Sequence, residues 1–495
     1  MGNTLAILYA DSYKQCHHFM YPKGLTKLIS YWVPRRSMFG EDDKMVFFGF
    51  QACMKKIQNL FYENFFSLPR EEVEETYIRT MMKHFNVAYE EAVNPAKIME
   101  LYDLGYLPLE IRVIPEGSIV PMGVPCIELT NTLDDFAWVV QWIECILQAE
   151  MWKPCCHATM ANEFRKIADN YYKMTTDVEI GLTSSAMSDF SMRGMSCVEE
   201  AEKASAAWLL SFDKSSTVPA LDYIKRYYEE VPMWTGLGAV STEHSVQCAN
   251  FAIDGNEIDF IKRALTELYP NTSFSMVADT YDYWNLVNNL LPQCKEEILN
   301  HNGKLLIRPD SGDIVEISVK TVERLWDIFG GSINSKGYKV LDPHIGVIYG
   351  DGCTLERVTA IYQQLMEKGF AANNILFGVG AFSFAARQTS DKGMVVYTRD
   401  TYGIAMKATC AIIDGKSYSL FKDPKTDTSK TKKSHKGCVA VKRDENNQYY
   451  CIDEFEEMVP HTETCLNTVF YDGKLLVSDF VDIQRRLQRE NGFNE

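Results

Sequence analysis

The sequence lacks most of the short signatures by which catalytic machinery is recognised. It has no H-E-x-x-H zinc-protease pair and no G-x-S-x-G nucleophile turn, and GKS at 415–417 lacks the upstream glycine of a P-loop. No C-x-x-C spacing occurs. The 14 cysteines are scattered, with Cys155 and Cys156 the only adjacent pair, which excludes a zinc set and a disulfide framework and predicts reduced thiols in a cytoplasmic protein. Basic charge is not in excess: 50 Lys and Arg against 67 Asp and Glu give a net charge of −17. That balance excludes a broad nucleic-acid face, yet a few converging cations, a metal ion or backbone amides could still bind a small anion. A membrane span is also missing, because the most apolar stretch, 136–152, is interrupted by Gln141, Glu144, Gln148 and Glu150. The N-terminal MGNTLAILYADSYK has neither the basic start nor the apolar run of a signal peptide, and no Ser or Thr at its sixth position for myristoylation.

What is present is a recurring plan. At 495 residues the chain exceeds a single core, which predicts two domains sharing an interface. The stretch LLIRPDSGD (305–313) runs from an apolar strand straight into a charged loop, and FSMVADTYD (274–282), IGVIYGDGC (345–353) and ILFGVGAF (375–382) repeat the pattern. Helical patterns lie between them at 282–300, 315–329 and 354–368, the last with Thr354 as N-cap and Gly369 just beyond its end. Strand, loop and helix in alternation predict a parallel sheet, and a sheet closed into a barrel would bring the loops after the strands to one face. Less regular units are expected from about Pro154, with a helix over 136–152 before them and a small β layer over 106–130. The stretch 5–35 reads as two short strands flanking Asp11, Ser12, Tyr13 and Lys14. After Phe382 the pattern turns to hairpins, and 422–436, KDPKTDTSKTKKSHK, reads as a solvated loop or a polyphosphate clamp.

The chemistry must then come from aspartates with basic partners. Asp279, Asp310 and Asp351 each end a different strand and could hold vicinal ribose hydroxyls or Mg²⁺, while Arg193 and Arg308 could grip phosphate bidentately. Gly378 and Gly380, after a late strand, could cradle a phosphate. Buried aspartates capping helices would give the same pattern, but three such strand ends in sequence favour function. His244 opens a helix, where an imidazolium is disfavoured by the dipole; a lone histidine is more often structural.

In order along nearly the whole chain, DSYK (11–14), DFSMRG (189–194), TEHS (242–245), RPDSGD (308–313), GDG (350–352), TRDTYGIAMKAT (398–409) and FKDP (421–424) resemble the nicotinamide phosphoribosyltransferases of the type II phosphoribosyltransferase family. The related nicotinate phosphoribosyltransferases share the barrel and some of these loops. The resemblance implies an α/β fold, an irregular (β/α) barrel plus a second α+β domain built from the N- and C-terminal segments. Residues 1–150 would form the N-terminal part of the α+β domain, 151–390 the barrel and 391–495 a β-rich part packing with the N-terminal segment. It also implies transfer of phosphoribosyl from phosphoribosyl pyrophosphate to nicotinamide in NAD salvage, with Mg²⁺ and with ATP as co-substrate. No nucleic acid or membrane partner is expected.

By the same resemblance His244, Asp310, Arg308 and Asp279 are catalytic, and His244 is the phosphorylatable histidine through which ATP acts. Phe190, Arg193, Ser216, Tyr13 and Asp11 hold the nicotinamide. Arg35, Ser275, Asp279, Arg308, Gly350, Asp351, Gly378, Gly380, Arg399, Lys407, Lys422 and Lys430 hold the phosphoribosyl and phosphate groups, with Asp310 and Asp351 meeting Mg²⁺ through the substrate. The sites are shared in a homodimer, Asp11, Tyr13, Arg399 and Lys407 crossing from a second subunit. Two positions depart from the family. Ser216 stands where the nicotinamide branch has an aspartate, which keeps nicotinate open as a substrate, and Ala381 stands where a glycine is expected beside Gly380. A non-catalytic nucleotide-binding homologue is the alternative from another class. Nothing is assigned to 382–396.

Overall fold

The structure, a computed structural model, describes residues 4–40, 43–88, 93–229, 231–389, 391–427 and 432–492. The chain divides into two compact units, one formed by Met1–Cys156, Arg226–Glu230 and Thr398–Glu495, the other by His157–Lys225 and Val231–Tyr397.

The first unit is built on a seven-stranded antiparallel sheet that mixes the two ends of the chain. Its order is Lys416–Ser419, Ala405–Ile413, Leu25–Val33, Ile127–Asn131, Leu109–Val113, Asn467–Tyr471 and Lys474–Leu475. Leu25–Val33 pairs with Ala405–Ile413 so that Tyr31 faces Lys407. The inner face is apolar, with Leu28, Trp32, Leu109, Ile127 and Phe470 buried. Residues 5–8, expected as a strand, form instead the 3₁₀ turn Ala6–Leu8. The helix expected over 136–152 starts later and runs further, as Val139–Trp142 and then Glu144–Thr175. It continues through Pro154. A proline inside a helix costs about 3 kcal/mol, and the burial of Met151, Cys155, Cys156, Ala158, Ala161 and Phe164 along it outweighs that.

The second unit is the curled parallel sheet. Its strands run in the order Lys214–Ser215, Met187–Phe190, Ile375–Gly380, Ile345–Tyr349, Leu305–Arg308, Phe274–Val277 and Val240–Ser241. Lys214 also bridges in parallel to Leu237, which lies just before Val240, so the sheet bends round until its two edges meet. The central strands are buried on both sides, as parallel strands covered by helices must be. Ile314–Phe329 begins at Asp313, whose carboxylate accepts from the backbone N–H groups of Val315 and Glu316; Leu355–Glu367 begins at Thr354, whose hydroxyl accepts from Arg357. The single helix expected over 282–300 is broken into Tyr283–Asn285, a π turn Leu286–Leu290, a 3₁₀ turn Leu291–Cys294 and Lys295–Asn300. Pro292, in the first turn of Leu291–Cys294, has no N–H to give, which breaks the α-helical ladder there. The stretch beyond Phe382 resolves into a short helix, Ala381–Ala385, and the strand pair Ala386–Thr389 and Gly393–Val396.

Candidate active site

Most candidate residues of the second unit lie at the C-terminal end of a parallel strand or in the turn that follows, Ser275 lying instead within Phe274–Val277 and Gly378 within Ile375–Gly380. Phe190 closes its strand, Arg193 sits in the 3₁₀ turn Met192–Gly194, Ser216 follows Lys214–Ser215, and His244 is the first residue of the helix His244–Asp254. Arg308 pairs in register with Val277, so Asp310 and Asp279, two residues further on, end level with each other. A cavity of about 890 Å³ opens there, lined by Phe190, Arg193, Ser216, His244, Arg308 and Asp310 among others.

Its polar wall is cross-braced. His244 Nδ1 lies 3.0 Å from Thr280 Oγ1, and its Nε2 lies 3.6 Å from Asp310 and 3.9 Å from Asp279. Arg308 donates from Nη2 to the Thr242 carbonyl at 2.9 Å and stands 3.7 Å from Asp310. Ser311 donates to one oxygen of Asp279, while the other, Oδ1, is buried with no hydrogen-bond partner. Ser275 is buried beneath this layer, its hydroxyl on that of Ser241. Asp351 stands on the exposed turn after Ile345–Tyr349, outside the lining of the cavity but near the same carboxylates. Burial, and then Asp351, Cys353, Asp310 and Asp279, push the Tyr349 phenol up to about 12, so the acidic strand ends share one neighbourhood.

The glycines serve the aromatic ring. A Cβ on Gly378 would lie 2.1 Å from Phe190 Cδ2, and one on Gly350 would lie 2.9 Å from Phe190 Cε2, so both positions leave room for that ring. Only beside Gly380 is the space open. A Cβ on Gly194 would lie 2.1 Å from the methyl of Ala381, so these two residues pack against each other.

Three residues were missed by the sequence reading as site builders. Thr280 orients His244, although it directly follows Asp279 in the strand-end motif. Thr242 accepts through its carbonyl from Arg308 and through its hydroxyl from Val277 N–H. Asp189 is fully buried and accepts from Ser191 N–H, Ser215 Oγ and Thr217 Oγ1 at 2.7, 3.1 and 2.8 Å, which fixes the turn presenting Ser216. Only its place beside Phe190 could have signalled this.

The remaining candidates belong to the first unit. Lys407 lies 3.6 Å from Glu144, which also takes Lys14 at 2.6 Å. Arg35 donates to the Gly403 carbonyl at 2.8 Å. Arg35 and Lys407 line a cavity of about 250 Å³ with Lys433, Ser434 and His435. Burial and then the charges of Arg36 and Arg399 lower the Arg35 guanidinium; burial lowers Lys407, with Lys14, Arg35 and Lys422 adding to it against Glu144. Arg399 and Lys422 are exposed, as are Asp11 and Tyr13. This is a set of cations crowded enough to repel one another. Lys430 lies outside the described residues.

A curled parallel sheet whose strand ends gather carboxylates, two arginines and a histidine around an aromatic ring is the architecture of a barrel-type phosphoribosyltransferase. The nicotinate phosphoribosyltransferase (NAPRTase) family model matches residues 185–459, and the model of the nicotinamide phosphoribosyltransferase N-terminal domain matches residues 5–111. The chain belongs to the nicotinate phosphoribosyltransferase family. It is 36% identical to the nicotinamide phosphoribosyltransferase of Acinetobacter baylyi, covering 97% of this chain and 96% of that protein, and 29% identical to that of Xanthomonas campestris pv. campestris, covering 95% of each. Its fold is shared with nicotinate-nucleotide pyrophosphorylase from Pyrococcus furiosus (TM-score 0.58, 13% identity, 99% and 97% of the two chains) and with human nicotinic acid phosphoribosyltransferase (TM-score 0.55, 16% identity, 97% and 93%).

Proposed function

We propose that the protein transfers phosphoribosyl from phosphoribosyl pyrophosphate to the ring nitrogen of nicotinamide, giving nicotinamide mononucleotide and pyrophosphate in NAD salvage. The observation that carries this is one cavity holding Phe190, Arg193, Ser216, His244, Arg308 and Asp310 together. Positive charge grows on the ribose carbon as pyrophosphate leaves, and Asp310 and Asp279, level at adjacent strand ends, are set to hold the sugar beside it. The Phe190 ring offers one face to a flat pyridine, and Arg193 and the Ser216 hydroxyl reach its substituent. Among the described residues no group of three His, Cys, Asp or Glu is placed to hold a metal ion. Mg²⁺ would arrive on the donor, with Asp310 and Asp351 as its protein oxygens and Asp279 Oδ1, which accepts no hydrogen bond, close by. Bound there, it would neutralise the departing pyrophosphate.

His244 is the site through which ATP acts in this reading. If Nδ1–H donates to Thr280, Nε2 keeps its lone pair for the γ-phosphorus of ATP; the N–P bond forms as the bond to ADP breaks, and Asp310 and Asp279 meet the positive charge left on the ring. The crowded cations of the first unit, Arg35, Arg399, Lys407 and Lys422, fit a pyrophosphate. We assign Asp11, Tyr13, Arg399 and Lys407 to the cavity of a second copy, so that a homodimer holds complete sites. The cysteines are free thiols and, among the described residues, no helix is long and apolar enough to cross a membrane, which fits work in the cytoplasm.

Nicotinate is the second acceptor to consider, because a hydroxyl at Ser216 pairs with a carboxylate as readily as with a carboxamide. Pyrophosphate release from phosphoribosyl pyrophosphate, measured with nicotinamide and nicotinate side by side, tests both. Release with nicotinamide in excess is expected; none with either acceptor overturns the proposal in favour of a non-catalytic homologue.

A further inference from the structure

The charged side chains on the cavity wall are Arg193, Glu243, His244, Arg308 and Asp310. Three of them answer one another, Arg308 and His244 both lying within 3.7 Å of the Asp310 carboxylate. Arg193 and Glu243 do not: among the described residues neither takes an ion-pair partner, and the Glu243 carboxylate accepts only from the Ser245 hydroxyl. Glu243 is the N-cap residue of His244–Asp254, yet its side chain caps none of that helix's N–H groups. It is exposed on the cavity wall, and while its backbone carbonyl accepts from Val246 and Gln247, its side chain braces no other element.

We propose that Glu243 selects the acceptor, its unpaired carboxylate holding the cavity against anionic pyridines and so supplying the discrimination that Ser216, uncharged, cannot. This rests on the phosphoribosyl transfer proposed above. Nicotinamide and nicotinate differ only in an amide against a carboxylate. Arg193, unpaired in the same cavity, would draw the carboxylate in and reward the wrong acceptor. An opposing carboxylate cancels that attraction without touching the neutral amide, which is selection by an introduced repulsion. Glu243 and Arg193 thus act as a balance, and the sign of the preference follows from which of them the acceptor feels more. A like charge across a cavity of this size is worth about tenfold at low salt and less as salt screens it.

The test is Glu243→Gln, which keeps the shape and removes the charge. With the full-length protein, the ratio of kcat/KM for nicotinate to that for nicotinamide should rise about tenfold, Glu243→Asp should restore much of the original ratio, and the salt dependence of the ratio should flatten in Glu243→Gln. A purely structural role would lower both acceptors together and leave the ratio and its salt dependence alone, which overturns the proposal. If Glu243→Gln turns over neither acceptor, calorimetric affinities for nicotinate and nicotinamide on the folded variant give the same ratio, with the same two outcomes. Failure of the underlying reading looks different, because the unsubstituted protein would then transfer to neither acceptor.

Discussion

His244 occupies a place that most histidines avoid. The first turn of a helix presents unpaired N–H groups and the positive end of the dipole, which repels an imidazolium and welcomes a phosphate. Thr280 on Nδ1 turns Nε2 toward Asp310 and Asp279, and a nitrogen aimed at two carboxylates suits a residue that gains charge during its cycle. His244→Ala is accordingly expected to abolish stimulation of transfer by ATP while leaving a residual ATP-independent rate. An unchanged ratio of rates with and without ATP would remove His244 from that role. The motif TEHS pointed to His244, but nothing in it pointed to Thr280, which lies 36 positions away and meets the ring only once two neighbouring strands are laid side by side.

At the scale of elements, the parallel strands were legible because each is a short apolar run ending in charge or glycine, and the observed strands Leu305–Arg308, Ile345–Tyr349 and Ile375–Gly380 fall inside the expected ones. The helix after Phe274–Val277 was not, since its apolar spacing is helical throughout and only Pro292 marks the break. The glycines of the late strands were legible as places of close approach but not for what approaches. A Cβ on Gly350 or Gly378 would meet the Phe190 ring, a neighbour that nothing in the sequence signalled. Gly378→Ala should therefore leave the strand paired, since Gly378 is not among the glycines with positive φ, and should push the Phe190 ring aside. We expect KM for nicotinamide to rise by up to about tenfold, roughly the loss of one aromatic contact, with KM for the donor little changed. In a Phe190→Ala background the same substitution should cost almost nothing, a coupling that double-mutant kinetics would read directly.

The first unit carries a different kind of strain at the start of the helix Phe50–Phe61. Glu116 is buried there, its carboxylate accepting from the N–H groups of Gly49, Phe50 and Gln51 and from the Tyr228 hydroxyl. Burial pushes its carboxyl up to about 7 against the pull of those donors. A carboxyl raised in the folded state favours folding most when protonated, so its contribution is full below the usual carboxylate range and is lost as pH rises toward 7. Between pH 5 and pH 8 the protein should lose roughly 2.5 kcal/mol of unfolding free energy that a Glu116→Gln variant does not lose, a difference accessible by urea titration at the two pH values. Equal slopes for the two proteins would mean that the donors, and not burial, set the carboxyl.

For the molecule as a whole, the decisive question is where complete sites form. The barrel cavity holds Phe190, Arg193 and Asp310, and in the sheet unit the ring of Tyr13 stands exposed. A neutral pyridine stacked on Phe190 leaves its second face to be covered, and a half-exposed tyrosine next to an acidic residue at Asp11 is the kind of side chain that covers it when it has somewhere to go. If that tyrosine comes from a second copy, Tyr13→Ala and Arg193→Ala damage opposite halves of each site. Each variant alone should be nearly inactive with nicotinamide. Mixed under conditions that let subunits exchange, random pairing places one undamaged site in each heterodimer, so recovery should approach about a quarter of the activity of the unsubstituted protein, as heterodimers form half of the population and carry one good site of two. If both residues served the same subunit's site, every site in the mixture would carry one lesion, and no recovery would appear however freely the subunits exchanged.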